Sequence, residues 1–216
     1  MIRFNLEASA QNRLKILCLG SHSDDIEIGC GGTVLRLAEL YPYAELHWAV
    51  FSASGIRESE ARRAAELFAS TRLRGTIFKN FPDGFMPYVG ADVKAVFEHE
   101  LKVLSPDLIF THNRRDAHQD HRVISELTWN TFRDHFILEY EIPKYDGDLG
   151  QPSVFMPLPL ETSQKKVRLI MQTFESQRVK RWFQEDTFYS LMRIRGMECG
   201  SDSGYAEAFY CRKLLL

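Results

Sequence analysis

The chain has 216 residues, of which 44% are hydrophobic and 26% are charged, so we predict one domain over residues 1–216. The net charge of −2 argues against nucleic acid or an anionic membrane surface as a partner. Apolar runs fall short of the roughly 20 residues that span a bilayer, so no transmembrane segment is expected.

The cysteines and the N-terminus both indicate a reducing compartment. The four cysteines form no CxxC pair, and those in apolar segments are expected to be buried free thiols. The opening stretch, "MIRFNLEASAQNRLK", lacks the pattern of a signal peptide. We therefore predict a cytoplasmic protein, and the sequence also allows a homo-oligomer.

The first two thirds of the chain alternate between β-rich runs and helical periodicity. Strands are expected at 14–19, 46–51, 76–81 and 107–112, and helices at 32–41, 56–70, 92–104 and 121–136. This alternation predicts an α/β fold, a Rossmann-like three-layer sandwich with a mostly parallel sheet.

The last third gives a weaker signal. Residues 141–159 are rich in Pro and Gly and are expected to form a long loop that contains a short strand at 153–156. A helix is expected over 163–174, with its N-cap at Thr162 or Ser163. The alternation at 205–216 predicts a final strand.

Two polar clusters follow the first and fourth predicted strands. The first is in "SHSDDIEIGCGG" (21–32), and the second is in "THNRRDAHQDH" (111–121). In a doubly wound sheet these two strands lie side by side, and ligands bind in the crevice beyond their carboxyl ends. We therefore expect the two clusters to meet.

Imidazole and carboxylate without a thiolate suit a divalent ion such as zinc, held by three ligands with one open position. His22 and Asp25 are three residues apart, and His121 opens the next helix, so these three are the candidate ligands. A zinc-held water reaches a pKa near ~7, and Asp24 is placed to take its proton as general base.

The same cluster offers the remaining catalytic groups. His118 is a candidate for stabilising the oxyanion or protonating the leaving group, and Asp120 for fixing the His118 ring by a hydrogen bond.

These motifs resemble a known family. "SHSDDIEIGCGGTV" is similar to the (A/P)-H-P-D-D-x-E-x-G-x-G-G signature of the PIG-L/LmbE-like zinc deacetylases, and "RRDAHQDH" is similar to their D-x-H-P-D-H signature. "RESEARRAAELF" and "FPDG" resemble two intervening segments of that family, and the likeness spans about residues 14–135. Ser23 and Gln119 stand where the family has proline, which frees the loops without removing a ligand.

The resemblance implies metal ligation by His22, Asp25 and His121, with Asp24 as the base. It implies that His118 is the charged or proton-donating histidine and that Asp120 orients it. It further implies that Arg57 contacts the sugar and that Asp83 lines the same pocket. The implied cofactor is Zn²⁺, with Fe²⁺ or another divalent ion as the alternative.

Several of these residues have structural alternatives. Asp24 could cap the first helix, Arg57 could pair with Glu58 or Glu60 on a solvated face, and the Pro-Asp-Gly turn explains Asp83 without any function. The glycines at 29, 31 and 32 are expected to allow close packing of the first helix, since their spacing does not fit a dinucleotide motif. Glu27 is expected to cap or pair within the loop.

We therefore predict a metal-dependent hydrolase that removes the acetyl group from an N-acetylglucosamine-type sugar or conjugate, a small-molecule substrate. The alternatives are an amidase on a larger conjugate, an esterase or phosphoesterase, and a non-catalytic sugar- or nucleotide-binding protein. The substrate itself is left open.

Overall fold

Seven strands carry the architecture, as seen in a computed structural model that describes Leu6 and residues 13–215. In chain order they are β1 (Lys15–His22), β2 (Glu45–Ser52), β3 (Leu73–Phe78), β4 (Leu108–His112), β5 (Phe136–Tyr140), β6 (Val154–Pro157) and β7 (Ala206–Cys211). Most of the N-terminal stretch that was inspected for a signal-peptide pattern lies outside the described residues. The last residue of the predicted strand 205–216 also lies outside them.

The strands form one sheet in the order β3-β2-β1-β4-β5-β7-β6. The first five are parallel, and β7 and β6 continue the sheet in antiparallel pairing. β1 lies beside β4, with Ile16 opposite Leu108 and Cys18 opposite Phe110. This confirms the predicted α/β class, the mostly parallel sheet and the adjacency of the first and fourth strands.

Within the described residues, six α-helices cover the two faces of the sheet. They are α1 (Asp25–Leu40), α2 (Ile56–Ala69), α3 (Gly90–Val96), α4 (Gln119–Thr131), α5 (Leu160–Thr173) and α6 (Glu185–Cys199). One core cluster contains residues of α1, α2, α5 and α6, and the other contains residues of α3 and α4. The three layers follow from this arrangement.

The strand β1 shows why the sheet centre forms here. Seven of its eight residues are buried, as is typical of a central parallel strand that is covered on both faces. α2 buries Ala61, Ala64, Ala65 and Phe68, the face that its periodicity predicts.

The glycines of α1 allow close packing, as predicted. A Cβ on Gly29 would lie 2.1 Å from Cδ2 of the buried Tyr140 in β5, and one on Gly32 would lie 2.6 Å from Leu158. The first helix therefore sits closer to the sheet and to the C-terminal third than a side chain at these positions would permit.

Several predicted boundaries were wrong. α1 begins at Asp25 and not near residue 32, and the third strand is Leu73–Phe78 and not 76–81. The predicted helix 92–104 is α3 followed by a π-helical turn and a 3₁₀ turn. α5 begins at Leu160 with Pro159 as its N-cap, and not at 162 or 163.

Two elements were missed. The strand β5 was not predicted, and the helix expected at 121–136 extends to its first residue. No element was predicted for the segment that forms α6. The short strand within 141–159 is confirmed as β6. Among the described residues, no helix is both long and apolar enough to cross a membrane.

The C-terminal third is tied to α1 by a buried ion pair. Lys166 in α5 donates to Glu207 in β7 at 2.6 Å and to the carbonyl of Ile28 at 2.7 Å. The Glu207 carboxylate also accepts the backbone N–H groups of Gly32 (2.8 Å) and Thr33 (2.6 Å). The last strand thereby supports the helix that begins at the polar cluster.

Candidate metal centre

The two polar clusters meet at the carboxyl ends of β1 and β4. His22 is the last residue of β1, and Asp25 is the first residue of α1. His112 ends β4, and His121 lies in the first turn of α4. The crevice that the strand order predicts is therefore lined by residues from both motifs.

The three candidate ligands lie within reach of one ion. His22 Nδ1 is 3.2 Å from His121 Nε2 and 3.3 Å from Asp25 Oδ2, and the latter two atoms are 3.5 Å apart. Ligands at zinc bond lengths around a tetrahedral ion are about 3.3–3.4 Å apart. The donor set and its spacing therefore fit a tetrahedral cation with one position left open.

The cluster offers other combinations of ligands as well. Three groups have ligand atoms within 4.8 Å of one another: His22–His118–His121, Asp25–His112–His121 and His22–Asp83–Asp120. In the set His22, Asp25 and His121, all three separations are 3.5 Å or less.

Each of the two candidate histidine ligands has a carboxylate behind it. His22 Nε2 is 3.2 Å from Asp120 Oδ2, and His121 Nδ1 is 3.0 Å from Asp116 Oδ2. Such partners fix the orientation of a ligating ring and leave its other nitrogen for the metal. The arrangement thus turns His22 Nδ1 and His121 Nε2 toward Asp25.

Asp120 was predicted to hold the His118 ring by a hydrogen bond, but its carboxylate does not contact that ring. Its carboxylate accepts the N–H groups of Gly84 (2.7 Å) and Met86 (3.1 Å) and faces His22. The link to His118 runs instead from the backbone N–H of Asp120 to His118 Nδ1 at 3.2 Å. The reason is that Asp120 lies in the first turn of α4, where its side chain points to the 84–86 turn.

Electrostatics keep the ligand atoms in the forms that bind a cation. Burial raises the pKa of Asp25, but the surrounding imidazoles, led by His121, outweigh burial and hold it well below its usual value. Burial and the nearby His112 lower the pKa of His121 to about 4. An ionised carboxylate and a neutral imidazole are the forms that metal binding requires.

His22 differs from His121 in its surroundings. Burial lowers the pKa of His22, but the carboxylates around it, led by Asp25, outweigh burial and raise it well above its usual value. The raised pKa favours a proton on each nitrogen of the His22 ring. A cation bound at Nδ1 would replace the proton that lies between His22 and Asp25.

Asp24 is buried beside the candidate ligands and does not act as a cap. It occupies the N-cap position of α1, yet its side chain makes no capping hydrogen bond. Burial and the neighbouring Asp25 carboxylate raise the pKa of Asp24, while Arg57 and Lys180 oppose that shift. The capping alternative is therefore not what this carboxylate does.

His118 lies over the same cluster. Its ring is 4.8 Å from that of His22 and stacks at 4.6 Å on His121. Because Nδ1 accepts the N–H of Asp120, the proton of the neutral ring lies on Nε2. Burial, together with the charge on His22, lowers the pKa of His118.

Arg57 and Asp83 lie together at the open side of the cluster. Arg57 donates to Asp83 Oδ2 at 2.9 Å, and Asp83 Oδ1 is 3.1 Å from His22 Nε2. Neither the pairing of Arg57 with Glu58 or Glu60 nor a turn role alone describes these contacts. Asp83 is half exposed (51% of its side chain), so a small molecule can reach it.

Sequence reasoning underestimated two residues. Asp116 is not among the site residues predicted above, yet it contacts His121, the N–H of His118 at 2.8 Å and Lys144 at 3.0 Å. His112 is likewise not among the predicted site residues, yet its Nε2 lies 3.2 Å from Asp25 Oδ2. The signal for His112 was present, since a residue that ends β4 must lie beside the end of β1.

A doubly wound α/β fold with a histidine–carboxylate cluster at its switch point is an arrangement that suits metal-dependent hydrolysis. The chain belongs to the PIG-L family, described as GlcNAc-PI de-N-acetylase, whose family model matches residues 17–132. It is similar to the uncharacterised deacetylase YaiS of Escherichia coli strain K12, with 31% identity over 149 residues, 64% of this chain and 79% of that protein. The predicted family is confirmed, and the family description and the name of this relative both indicate a hydrolytic N-deacetylase.

Solved structures share the fold. The N,N'-diacetylchitobiose deacetylase of Pyrococcus horikoshii superposes with a TM-score of 0.70 and 19% identity, covering 97% of this chain and 87% of that chain. The 4-carboxy-2-hydroxymuconate hydratase GalB of Pseudomonas putida superposes with a TM-score of 0.67 and 16% identity, covering 94% and 98%. The fold thus hosts more than one reaction, and the side chains of the site must decide among them.

Proposed function

We propose that the protein hydrolyses the N-acetyl amide of an N-acetylglucosamine-type sugar or conjugate and releases acetate. The observation that carries the proposal is the spacing of His22 Nδ1, Asp25 Oδ2 and His121 Nε2, which fits one tetrahedral ion. The family description and the chitobiose deacetylase that shares the fold support an amino-sugar substrate.

His22, Asp25 and His121 would hold the cation, which we propose to be zinc, with ferrous iron as the alternative. When bound, such an ion acts as a Lewis acid and makes water a nucleophile near neutral pH. Asp116 and Asp120 hold the two imidazoles in the ligating orientation. Arg57 and Asp83, at the open side, are proposed to contact the sugar.

Asp24 would take the proton of the attacking water, since its carboxylate is buried beside the ligands and is not used by the helix. His118 would donate a hydrogen bond from its Nε2–H to the oxygen that becomes negative as the acetyl carbon turns tetrahedral, in the manner of an oxyanion hole. The nitrogen of the departing amine needs one proton, and Asp24 would return the proton that it took from the water. The products are acetate and the free amino sugar.

The test is acetate release from a panel of substrates by the purified protein with added zinc. N-acetylglucosamine, N,N'-diacetylchitobiose and a larger N-acylated conjugate distinguish the sugar deacetylase from an amidase, and phosphate esters test the phosphoesterase alternative. We expect Asp24→Asn to bind zinc normally and to lose about 10²–10⁴-fold in turnover. Asp92→Asn, on the exposed side of α3, is the matched control.

His121→Ala should lose the metal itself, which elemental analysis of the purified variant measures. Near-wild-type turnover by Asp24→Asn would remove the proposed base. Wild-type protein that binds no divalent ion would favour the non-catalytic binding protein. A cytoplasmic location stays a prediction of the sequence, which also allows a homo-oligomer.

A further inference from the structure

We propose that His112 is a positioning residue that does not ligate the ion. It fixes the end of β1, which carries His22, relative to the ring of His121 in α4. The inference rests on the proposed function, because it assumes that His22, Asp25 and His121 bind a cation. It adds a residue that lies outside the signature motifs and whose contacts reach both of them.

The first contact is with the backbone that carries the first motif. The ring of His112 is fully buried, and its Nε2 accepts the backbone N–H of Ser21 at 3.0 Å. Ser21 immediately precedes His22, so this bond fixes the end of β1 at the point from which the ligands project. A buried N–H that lost this acceptor would be left without a partner, which is costly.

The second contact is with the ligand ring of the other motif. The rings of His112 and His121 stack with centroids 3.9 Å apart and an interplanar angle of 14°. His112 Nε2 also lies 3.2 Å from Asp25 Oδ2. One buried side chain therefore accepts a hydrogen bond from the strand end before His22 and packs on the face of His121, with Asp25 close beside it.

The bond from Ser21 argues against His112 as a ligand. The Nε2 lone pair of His112 is directed to the N–H of Ser21, so ligation through Nε2 would break that bond. Although Asp25, His112 and His121 form a compact group, the set with His22 leaves the Ser21 bond intact. His112 thus acts through the ligands and not on the ion.

Two substitutions separate the two contacts. In His112→Gln the amide oxygen can still accept the N–H of Ser21, but the ring that stacks on His121 is lost. In His112→Phe a ring of similar size remains, but the acceptor is lost. His99→Gln and His99→Phe, at an exposed position of the π-helical turn, are the matched controls.

The readouts are zinc affinity by competition with a chelator, the visible spectrum of the cobalt(II)-substituted protein, and thermal unfolding of the metal-free chain. We expect both His112 variants to bind zinc about 10–100-fold more weakly, with an altered cobalt spectrum and with His112→Gln less impaired than His112→Phe. The His99 variants should match the wild type in all three measurements.

Wild-type zinc affinity and an unchanged cobalt spectrum in either folded variant would overturn the inference and leave the proposed function standing. A loss of unfolding temperature in the metal-free chain with an unchanged cobalt spectrum would assign His112 a structural role only, which also overturns it. A wild-type chain that binds neither zinc nor cobalt would overturn the inference and the proposed metal site together.

Discussion

Replacing Lys166 with methionine tests whether the C-terminal third stabilises the fold through a buried charge. Both side chains of the Lys166–Glu207 pair are 3% exposed. The substitution leaves the Glu207 carboxylate with only the N–H groups of Gly32 and Thr33, and it removes a donor from the carbonyl of Ile28. Breaking a buried pair from one side costs about 3–5 kcal/mol.

The two remaining N–H donors still stabilise Glu207, so we expect the lower end of that range, about 3 kcal/mol in the free energy of unfolding. For a chain of this length this corresponds to a fall of about 6–12 °C in Tm. Urea unfolding followed by circular dichroism measures the free energy, and differential scanning calorimetry measures Tm.

Lys165→Met is the matched control, because Lys165 is the neighbouring residue on the exposed face of α5, where about 0.5 kcal/mol or less is expected. The double variant Lys166→Met/Glu207→Gln should lose less than the sum of its two single variants, since the uncompensated charge is gone. A Lys166→Met protein within about 1 kcal/mol of the control would refute the assignment of a stabilising role to this pair.

Two further predictions concern packing and the metal. Gly29→Ala should destabilise by about 3 kcal/mol, because its Cβ would lie 2.1 Å from Tyr140, whereas Gly90→Ala, with nothing within 4 Å, should gain about 0.5–1 kcal/mol. Equal effects of the two in urea unfolding would contradict the packing argument. Asp116→Asn should weaken zinc binding about 10–100-fold by removing the carboxylate behind His121. A chelator competition that gives the wild-type affinity would contradict that role.

The parts of the fold that local patterns encode were predicted correctly. The buried run of β1 and the amphipathic face of α2 are both visible in the local sequence. The strand alternation then fixed the neighbours of β1, so the meeting of the two motifs followed from topology alone.

The missed elements depend on contacts across the fold. The buried face of α6 includes Arg195, which disrupts the apolar periodicity, and that burial is possible because Glu141 accepts hydrogen bonds from it at 2.9 and 3.0 Å. β5 has five residues and becomes a strand because β4 and β7 pair with it on either side. Neither partner can be read from the local sequence.

Side-chain directions within the candidate site were harder to predict than its membership. Asp120 was expected to orient His118, but the first turn of α4 directs its carboxylate to His22. Glu27 was expected to cap or pair, but it is fully buried and neither carboxylate oxygen has a hydrogen-bond partner among the described residues. Sequence spacing indicates which side chains are near one another but does not determine which atoms face each other.

The reach of Glu207 back to α1 also bears on how the chain is made. The carboxylate accepts N–H groups 175 and 174 residues earlier in the sequence, so a ribosome has synthesised nearly the whole domain before this bond can form. Contacts of such separation slow folding. Until β7 has joined the sheet, the helix that starts at the polar cluster lacks this support, so a nascent chain should not retain a divalent ion as firmly as the finished protein.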